Sequence, residues 1–336
     1  MPNWREAVLE GVKEAVRLHR DLGTQDYIEQ SPGCVDVFGA IIRSNIALRF
    51  RPLKGLLGAY LAHPSAGILV TTERNLAVQR FTGAHELGHA YMKHDVSLDD
   101  TSILDRAPFG QRSYDAKEAA ADAFAASFLI PKWLLEIHAD RQKWNARSMS
   151  NPLWAYQMSL RIGASYEATC RSLERYKIVD TEARARLVDT PPKKIKQALL
   201  NGHSLDDWHS DVWLITEADR DARLQGGPGD VFTIKLRENS GAGYLWQVDQ
   251  LEAAGFSVLE DKRDIPSDNE QVGGAAQRTV VARLKDIEQG HLGRISLIEG
   301  RPWDRADVAS EVSFVYELFG KESGLPRAER PWLVAA

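Results

Sequence analysis

Two histidines and a glutamate fall within five residues in His85-Glu86-Leu87-Gly88-His89. Four residues is just over one helical turn, so on a helix both imidazoles leave one face and can direct ring nitrogens at a single metal ion. Zinc at a catalytic centre takes three protein ligands and keeps a fourth position for water, whose pKa falls to roughly 7. Glu86 lies beside the pair, where a carboxylate can accept that proton during attack on a peptide carbonyl, a general-base contribution of about 10²–10⁴-fold. The chemistry on offer is zinc-assisted peptide hydrolysis. Without a third ligand the pattern is equally a helix that happens to carry these residues.

Two third ligands are available. Asp95 follows the motif, but the sharp turn of that arrangement calls for glycine at position 92, where the chain has Met92. Glu118 stands in Glu118-Ala119-Ala120-Ala121-Asp122, whose small residues allow close helix packing, with Asp122 one turn on and on the same face. A carboxylate that accepts the second N–H of a ligating histidine fixes its tautomer and raises its basicity, which is the role expected of Asp122. Asp115-Ala116-Lys117-Glu118 also reads as a capping box in which Glu118 bonds back to the Asp115 amide. His63, Tyr91, His94 and Tyr114 can each donate to an oxyanion, and the sequence does not rank them.

The elements that must position these groups are legible from periodicity. Leu76, Phe81, Ala84, Leu87 and Tyr91 recur every three to five residues, so Asn75 to about His94 reads as one amphipathic helix. The polar stretch Asp95 to Tyr114 reads as a loop, followed by a helix from about Asp115 to Ile130 that stops before Pro131. Upstream, Trp4, Val8, Val12, Ala15 and Val16 mark a first helix, and residues 1–72 mix helical and strand-like pieces. From Trp133 to about Leu200 the pattern stays helical, broken near Asn151-Pro152 and Thr190-Pro191-Pro192. Within it, Ser159 to Leu173 has the form helix, glycine turn, helix, which suits helix-turn-helix DNA reading or plain core packing. Core packing is the default.

After Gly202 the chain changes to alternating β-branched segments, Val212–Thr216, Val231–Leu236, Thr279–Ala282 and Val312–Tyr316, punctuated by glycine. An all-β sandwich is expected over about 205–322. Three Gly-rich loops, carrying Asn239, Gly243 and Tyr244, then Gly273 and Gly274, then Arg301, Pro302 and Trp303, can present Tyr244, Arg301 and Trp303, the side-chain types that dominate binding hot spots. Trp246 is expected to fill the core.

Composition bounds the rest. The 336 residues suit two or three domains, and 47 acidic against 42 basic side chains give a charge of -5. No bulk positive field draws the chain to nucleic acid or anionic lipid, and no apolar run approaches the ~20 residues needed to span a bilayer. Two cysteines, Cys34 and Cys170, make one bridge at most, which favours a reducing, cytoplasmic location. No fixed-period repeat is present.

Arg80-Phe81-Thr82-Gly83-Ala84-His85-Glu86-Leu87-Gly88-His89 and the run from Glu118 to Pro131 resemble the ImmA/IrrE family of metallopeptidases over about residues 20–180. The resemblance implies a zincin-like fold, zinc held by His85, His89 and Glu118, and Glu86 as catalytic base. It also implies cleavage of a helix-turn-helix repressor in a stress response. Family members usually have Asn where this chain has Asp122, so the role given to Asp122 belongs to this sequence. The three C-terminal loops, over about 210–320, resemble chagasin-like inhibitors of papain-type cysteine peptidases. Their first loop has Pro-Thr-Thr where this chain has Ser240-Gly241-Ala242, so the fold is supported better than inhibition.

The expected architecture is therefore α+β. A zincin-like metallopeptidase domain (1–135) with a helical extension (136–204) is followed by an immunoglobulin-like sandwich (205–322) and a tail (323–336). The expected function is zinc-dependent endoproteolysis of a regulatory protein, with the sandwich binding a partner or substrate. The alternative is inhibition of a papain-like cysteine peptidase by the sandwich, with the zincin domain as scaffold or sensor.

Overall fold

The computed structural model describes residues 4–63, 65–94, 97–100, 115–200, 202–227, 229–264, 275–284 and 291–318. Three helices open the chain, α1 (Trp4–Leu22), α2 (Thr24–Gln30) and α3 (Val37–Arg43). Along α1, Ala7, Val8, Gly11, Ala15 and Leu18 are buried, while Val16, expected on the apolar stripe, is 62% exposed. Residue 16 follows 15 by about 100° of helix, which turns it off the stripe that Ala15 and Leu18 define. Strands β1 (Ala47–Arg51), β2 (Leu56–Leu61) and β3 (Gly67–Thr71) precede α4 (Leu76–Tyr91), the helix that carries the histidines.

Asn75 caps α4 by accepting from the Val78 amide at 3.0 Å, so the helix begins where its side chain satisfies an otherwise orphaned donor. It ends at Tyr91, three residues before the expected limit at His94. Residues 97–100, expected in a loop, form strand β4 (Ser97–Asp100), antiparallel to β2, in a sheet of order β1-β3-β2-β4. Ser97-Leu98-Asp99-Asp100 has no apolar alternation; pairing with the edge of β2, not local preference, makes it a strand. Helix α5 (Ala116–Leu129) follows, capped by Asp115 and ending before Pro131. Its small residues Ala119 and Ala123 pack against Val8 of α1.

The helical stretch resolves into α6 (Lys132–Gln142), α7 (Ala146–Met149), α8 (Pro152–Ile162), α9 (Tyr166–Arg175), α10 (Thr181–Val188) and α11 (Pro192–Leu200). Helix α9 buries Tyr166, Thr169, Cys170 and Leu173, and Arg171 pairs with Glu167 at 2.7 Å, in keeping with core packing at the helix–turn–helix. One apolar core runs without a break from Ala15 past residue 135 to Leu205.

Eight strands complete the described chain: β5 (Val212–Ile215), β6 (Arg223–Gly226), β7 (Val231–Glu238), β8 (Leu245–Gln247), β9 (Phe256–Asp264), β10 (Ala276–Leu284), β11 (His291–Arg301) and β12 (Asp304–Leu318). They form two sheets, β5-β7-β10-β9 and β6-β12-β11-β8, with Trp213, Phe232, Trp246, Phe256 and Phe314 in the core they share. The four segments read from sequence fall on β5, β7, β10 and β12, the first overrunning β5 by Thr216, and Trp246 is buried as expected.

The first sheet is covered on its outer face as well, because Val212, Leu214, Val231 and Val281 join the helical core. Strand β5 is at the sheet edge, and α8 satisfies it as a neighbouring strand would. The Gln157 amide donates to the Val212 carbonyl and accepts from the Leu214 amide, each at 2.8 Å. Arg161 donates to the Leu214 carbonyl and forms a two-pronged pair with Asp219 at 3.0 and 2.8 Å, both side chains buried. An edge strand that would otherwise expose pairing groups is thereby closed by side chains. Among the described residues no helix is long and apolar enough to cross a membrane.

Candidate metal centre

Helices α4 and α5 lie side by side, and their facing side chains meet at one point. His85, His89 and Glu118 each offer a ligand atom, all within 4.8 Å of one another. His85 Nε2 and His89 Nε2 are 2.9 Å apart, and the two oxygens of Glu118 lie 3.3 Å from the first and 3.5 Å from the second. Both histidines are buried, and Glu118 keeps 23% of its side chain exposed. Burial alone would raise the Glu118 carboxyl, but hydrogen bonds from both imidazoles outweigh it and hold the group well below the usual carboxylate range.

Each imidazole is held from behind. His85 Nδ1 lies 2.9 Å from Asp122 Oδ1, both side chains fully buried, and His89 Nδ1 lies 3.0 Å from His94 Nδ1. A histidine whose Nδ1 is engaged in this way presents Nε2 to the centre, as metal-binding histidines do. The donor set, two imidazole nitrogens and one carboxylate, fits a divalent ion such as zinc. Asp115 caps α5 by accepting from the Lys117 amide at 2.9 Å, while Glu118 turns to the histidines. Burial and the neighbouring His89 push the His94 imidazole down to about 4.

Glu86 is fully buried on α4 beside the pair. Strand β2 comes so close here that a Cβ at Gly58 would stand 3.1 Å from Glu86 Oε1 and 2.4 Å from Thr82 Cγ2. Sequence reading missed Gly58; the available signal was a glycine inside a strand, which marks close approach of another group. Of the four oxyanion candidates, Tyr91 donates to Asp21 at 3.1 Å, His63 is exposed, and His94 faces His89. Tyr114, like the rival ligand Asp95, lies outside the described residues.

The sandwich brings two of its three expected loops together. Tyr244 donates to Asp307 at 3.0 Å, Arg301 pairs with Asp307 at 2.9 Å, and the Arg301 guanidinium stands 4.7 Å from the Tyr244 ring centre. Asn239 donates through its side chain to Glu299 at 3.1 Å. Pro302 and Trp303 form the exposed tip of the β11–β12 hairpin, with Trp303 74% exposed and its ring over Gly243, whose φ of 83° suits glycine. Gly273 and Gly274 lie outside the described residues. This cluster follows the C-terminal end of β7, whereas Val212, held by Gln157 of α8, pairs with Val231 at the other end. Eight strand residues, about 25 Å, separate the two ends.

Comparison with known families finds a match for each part. Residues 43–174 match the family model described as the IrrE N-terminal-like domain, Peptidase_M78, and residues 227–318 match that of the chagasin family peptidase inhibitors, I42. The chain thus joins a metallopeptidase-like domain to a chagasin-like one. No curated protein matches it. Among solved structures, the cysteine protease inhibitor EhICP2 from Entamoeba histolytica is 22% identical with a TM-score of 0.28, covering 33% of this chain and 99% of that one. Amebosin is 19% identical with a TM-score of 0.25, covering 33% and 96%. PbICP-C, solved in complex with falcipain-2, is 15% identical with a TM-score of 0.21, covering 34% and 95%.

Proposed function

We propose that this chain is a zinc-dependent endopeptidase that cleaves a regulatory protein, a helix-turn-helix repressor being the substrate class that the family resemblance suggests. The observation that carries the reading is the convergence of His85 Nε2, His89 Nε2 and the Glu118 carboxylate beside the buried Glu86. His85, His89 and Glu118 would hold the ion, and zinc when bound supplies Lewis acidity toward a carbonyl and toward water. Glu86 accepts the proton of the attacking water and returns it to the leaving amine. Asp122 keeps His85 in one tautomer. The proposed peptidase unit of 1–135 and helical extension of 136–204 share α6 and one apolar core, and the proposed sandwich is 205–322. Both cysteines are free, which supports a reducing, cytoplasmic setting.

Purified protein is to be assayed for zinc by mass spectrometry and for cleavage of co-expressed repressors. About one zinc per chain in the wild type, lost in Glu118→Ala, with cleavage lost and zinc kept in Glu86→Gln, is the expected result. A wild type that holds no zinc after reconstitution defeats the reading.

A second reading is favoured by the exposed Trp303 beside the half-buried Tyr244 and Arg301, the kind of aromatic and arginine surface that anchors protein partners. In it the sandwich binds a papain-like cysteine peptidase. Titration against papain decides: inhibition that survives Glu86→Gln and is lost in Trp303→Ala supports it, and absence of inhibition leaves the sandwich as a recruiting surface for the peptidase.

A further inference from the structure

The C-terminal turn of α4 carries a side chain that the peptidase reading does not use. The helix closes with Lys93 in the left-handed region, φ 58°. The Lys93 amide donates to the Ala90 carbonyl at 3.2 Å and the His94 amide to the His89 carbonyl at 2.9 Å. These are the two bonds of a Schellman turn, which lays the second residue past the cap over the helical residue three before it. That pair commonly makes an apolar contact. Here it consists of two imidazoles, His94 and His89, with ring centres 5.1 Å apart and Nδ1 atoms at 3.0 Å.

Two Nδ1 atoms at this distance share one hydrogen, so one ring donates and the other accepts. The other side of His89 fixes the direction. Its Nε2 faces His85 Nε2 at 2.9 Å and Glu118 at 3.5 Å, and a nitrogen that holds a metal carries no hydrogen. A neutral imidazole has one N–H, which must then sit on Nδ1 and point at His94. Resting on the metal-centre reading above, we propose that His94 is the positioning residue for His89, its Nδ1 accepting the His89 Nδ1–H so that His89 Nε2 is held unprotonated toward the metal. The two ligand histidines are then anchored unequally, His85 by the Asp122 carboxylate and His89 by a neutral ring supplied by the helix's own terminating turn.

The test is metal affinity and ring tautomer in the full chain. Zinc dissociation constants are to be measured by competition with a chromophoric chelator for the wild type, His94→Phe, His94→Asn and Glu118→Ala. The amide oxygen of asparagine can occupy the place of Nδ1 and accept the same hydrogen, whereas phenylalanine keeps the ring without an acceptor. His94→Phe is expected to bind zinc about 10–100-fold more weakly, with His94→Asn within about threefold of the wild type. Unchanged affinity in His94→Phe, or equal weakening in both variants, overturns the proposal in favour of plain packing. Should His94→Phe fail to fold, ¹⁵N imidazole spectra of the zinc-loaded wild type decide. Hydrogen on Nδ1 of His89 and on Nε2 of His94 is expected, and any other pair of tautomers refutes it. Failure of the metal-centre reading looks different: the wild type binds no zinc, or Glu118→Ala binds as tightly as the wild type, and the proposal falls with it.

Discussion

Asp122 Oδ1 stands 2.9 Å from His85 Nδ1 with both side chains fully buried. The two residues come from different helices, so this contact ties α5 to α4. A buried carboxylate that accepts from an imidazole orients the ring and increases the basicity of its far nitrogen. Asp122→Ala is expected to weaken zinc binding by about 10–100-fold while leaving Glu118 in place. Equilibrium dialysis against zinc reads the effect, and unchanged affinity would mean that the contact serves packing alone.

Gly58 is predicted to be intolerant of a single added methyl group. A Cβ there meets Thr82 and the Glu86 carboxylate, and neither α4 nor the paired strand β2 can retreat cheaply. Overpacking of this kind costs about 1–3 kcal/mol. Gly58→Ala should lower the thermal midpoint and reduce kcat more than zinc content, since it displaces Glu86 and not the ligands. Full activity in Gly58→Ala would show that the strand yields.

The junction with the sandwich is predicted to be cooperative. Breaking the buried Arg161–Asp219 pair leaves a guanidinium without its counter-charge in the interior, an effect worth about 3–5 kcal/mol. Asp219→Ala should destabilise by that order. The wild type should unfold in a single calorimetric transition, because α8 completes the edge of β5 and one apolar core reaches Val212 and Val231. Two well-separated transitions in the wild type would contradict this.

Stability is predicted to fall on acidification through two buried histidines outside the metal centre. Burial pushes His138 down to about 4, against the raising effect of its hydrogen bond to the Gly33 carbonyl, and His19, packed on Phe128, is pushed down to about 4 in the same way. With the unfolded value near 6.5, the unfolded chain binds more protons between pH 6.5 and 4, so stability is complete above that window and is lost as pH falls through it. Each histidine contributes at most about 1.4 kcal/mol per pH unit there. Asp230 acts in the opposite sense, since burial and Asp211 raise it to about 7, so the comparison must be between variants. Urea midpoints at pH 7, 5.5 and 4.5 should fall less steeply for His138→Gln than for the wild type; parallel slopes would reject the prediction.

What the sequence determined by itself was whatever local periodicity encodes. Spacings of four put His85 with His89 and Glu118 with Asp122 on single helix faces, Asn75 and Pro131 bounded the two helices, and β-branched alternation marked the cores of β5, β7, β10 and β12. Those patterns are written within a few residues, so they survive without knowledge of the fold. Tertiary structure decided the rest. The meeting of α4 with α5, the approach of Gly58 to Glu86, the strand character of Ser97–Asp100 and the use of Gln157 and Arg161 to close β5 each depend on partners distant in sequence. The contact between His94 and His89 depends on Lys93 adopting a left-handed conformation that a lysine does not advertise. The physical reason is common to all of these. A side chain's pattern along the chain fixes which face it occupies, but only long-range packing fixes what that face meets.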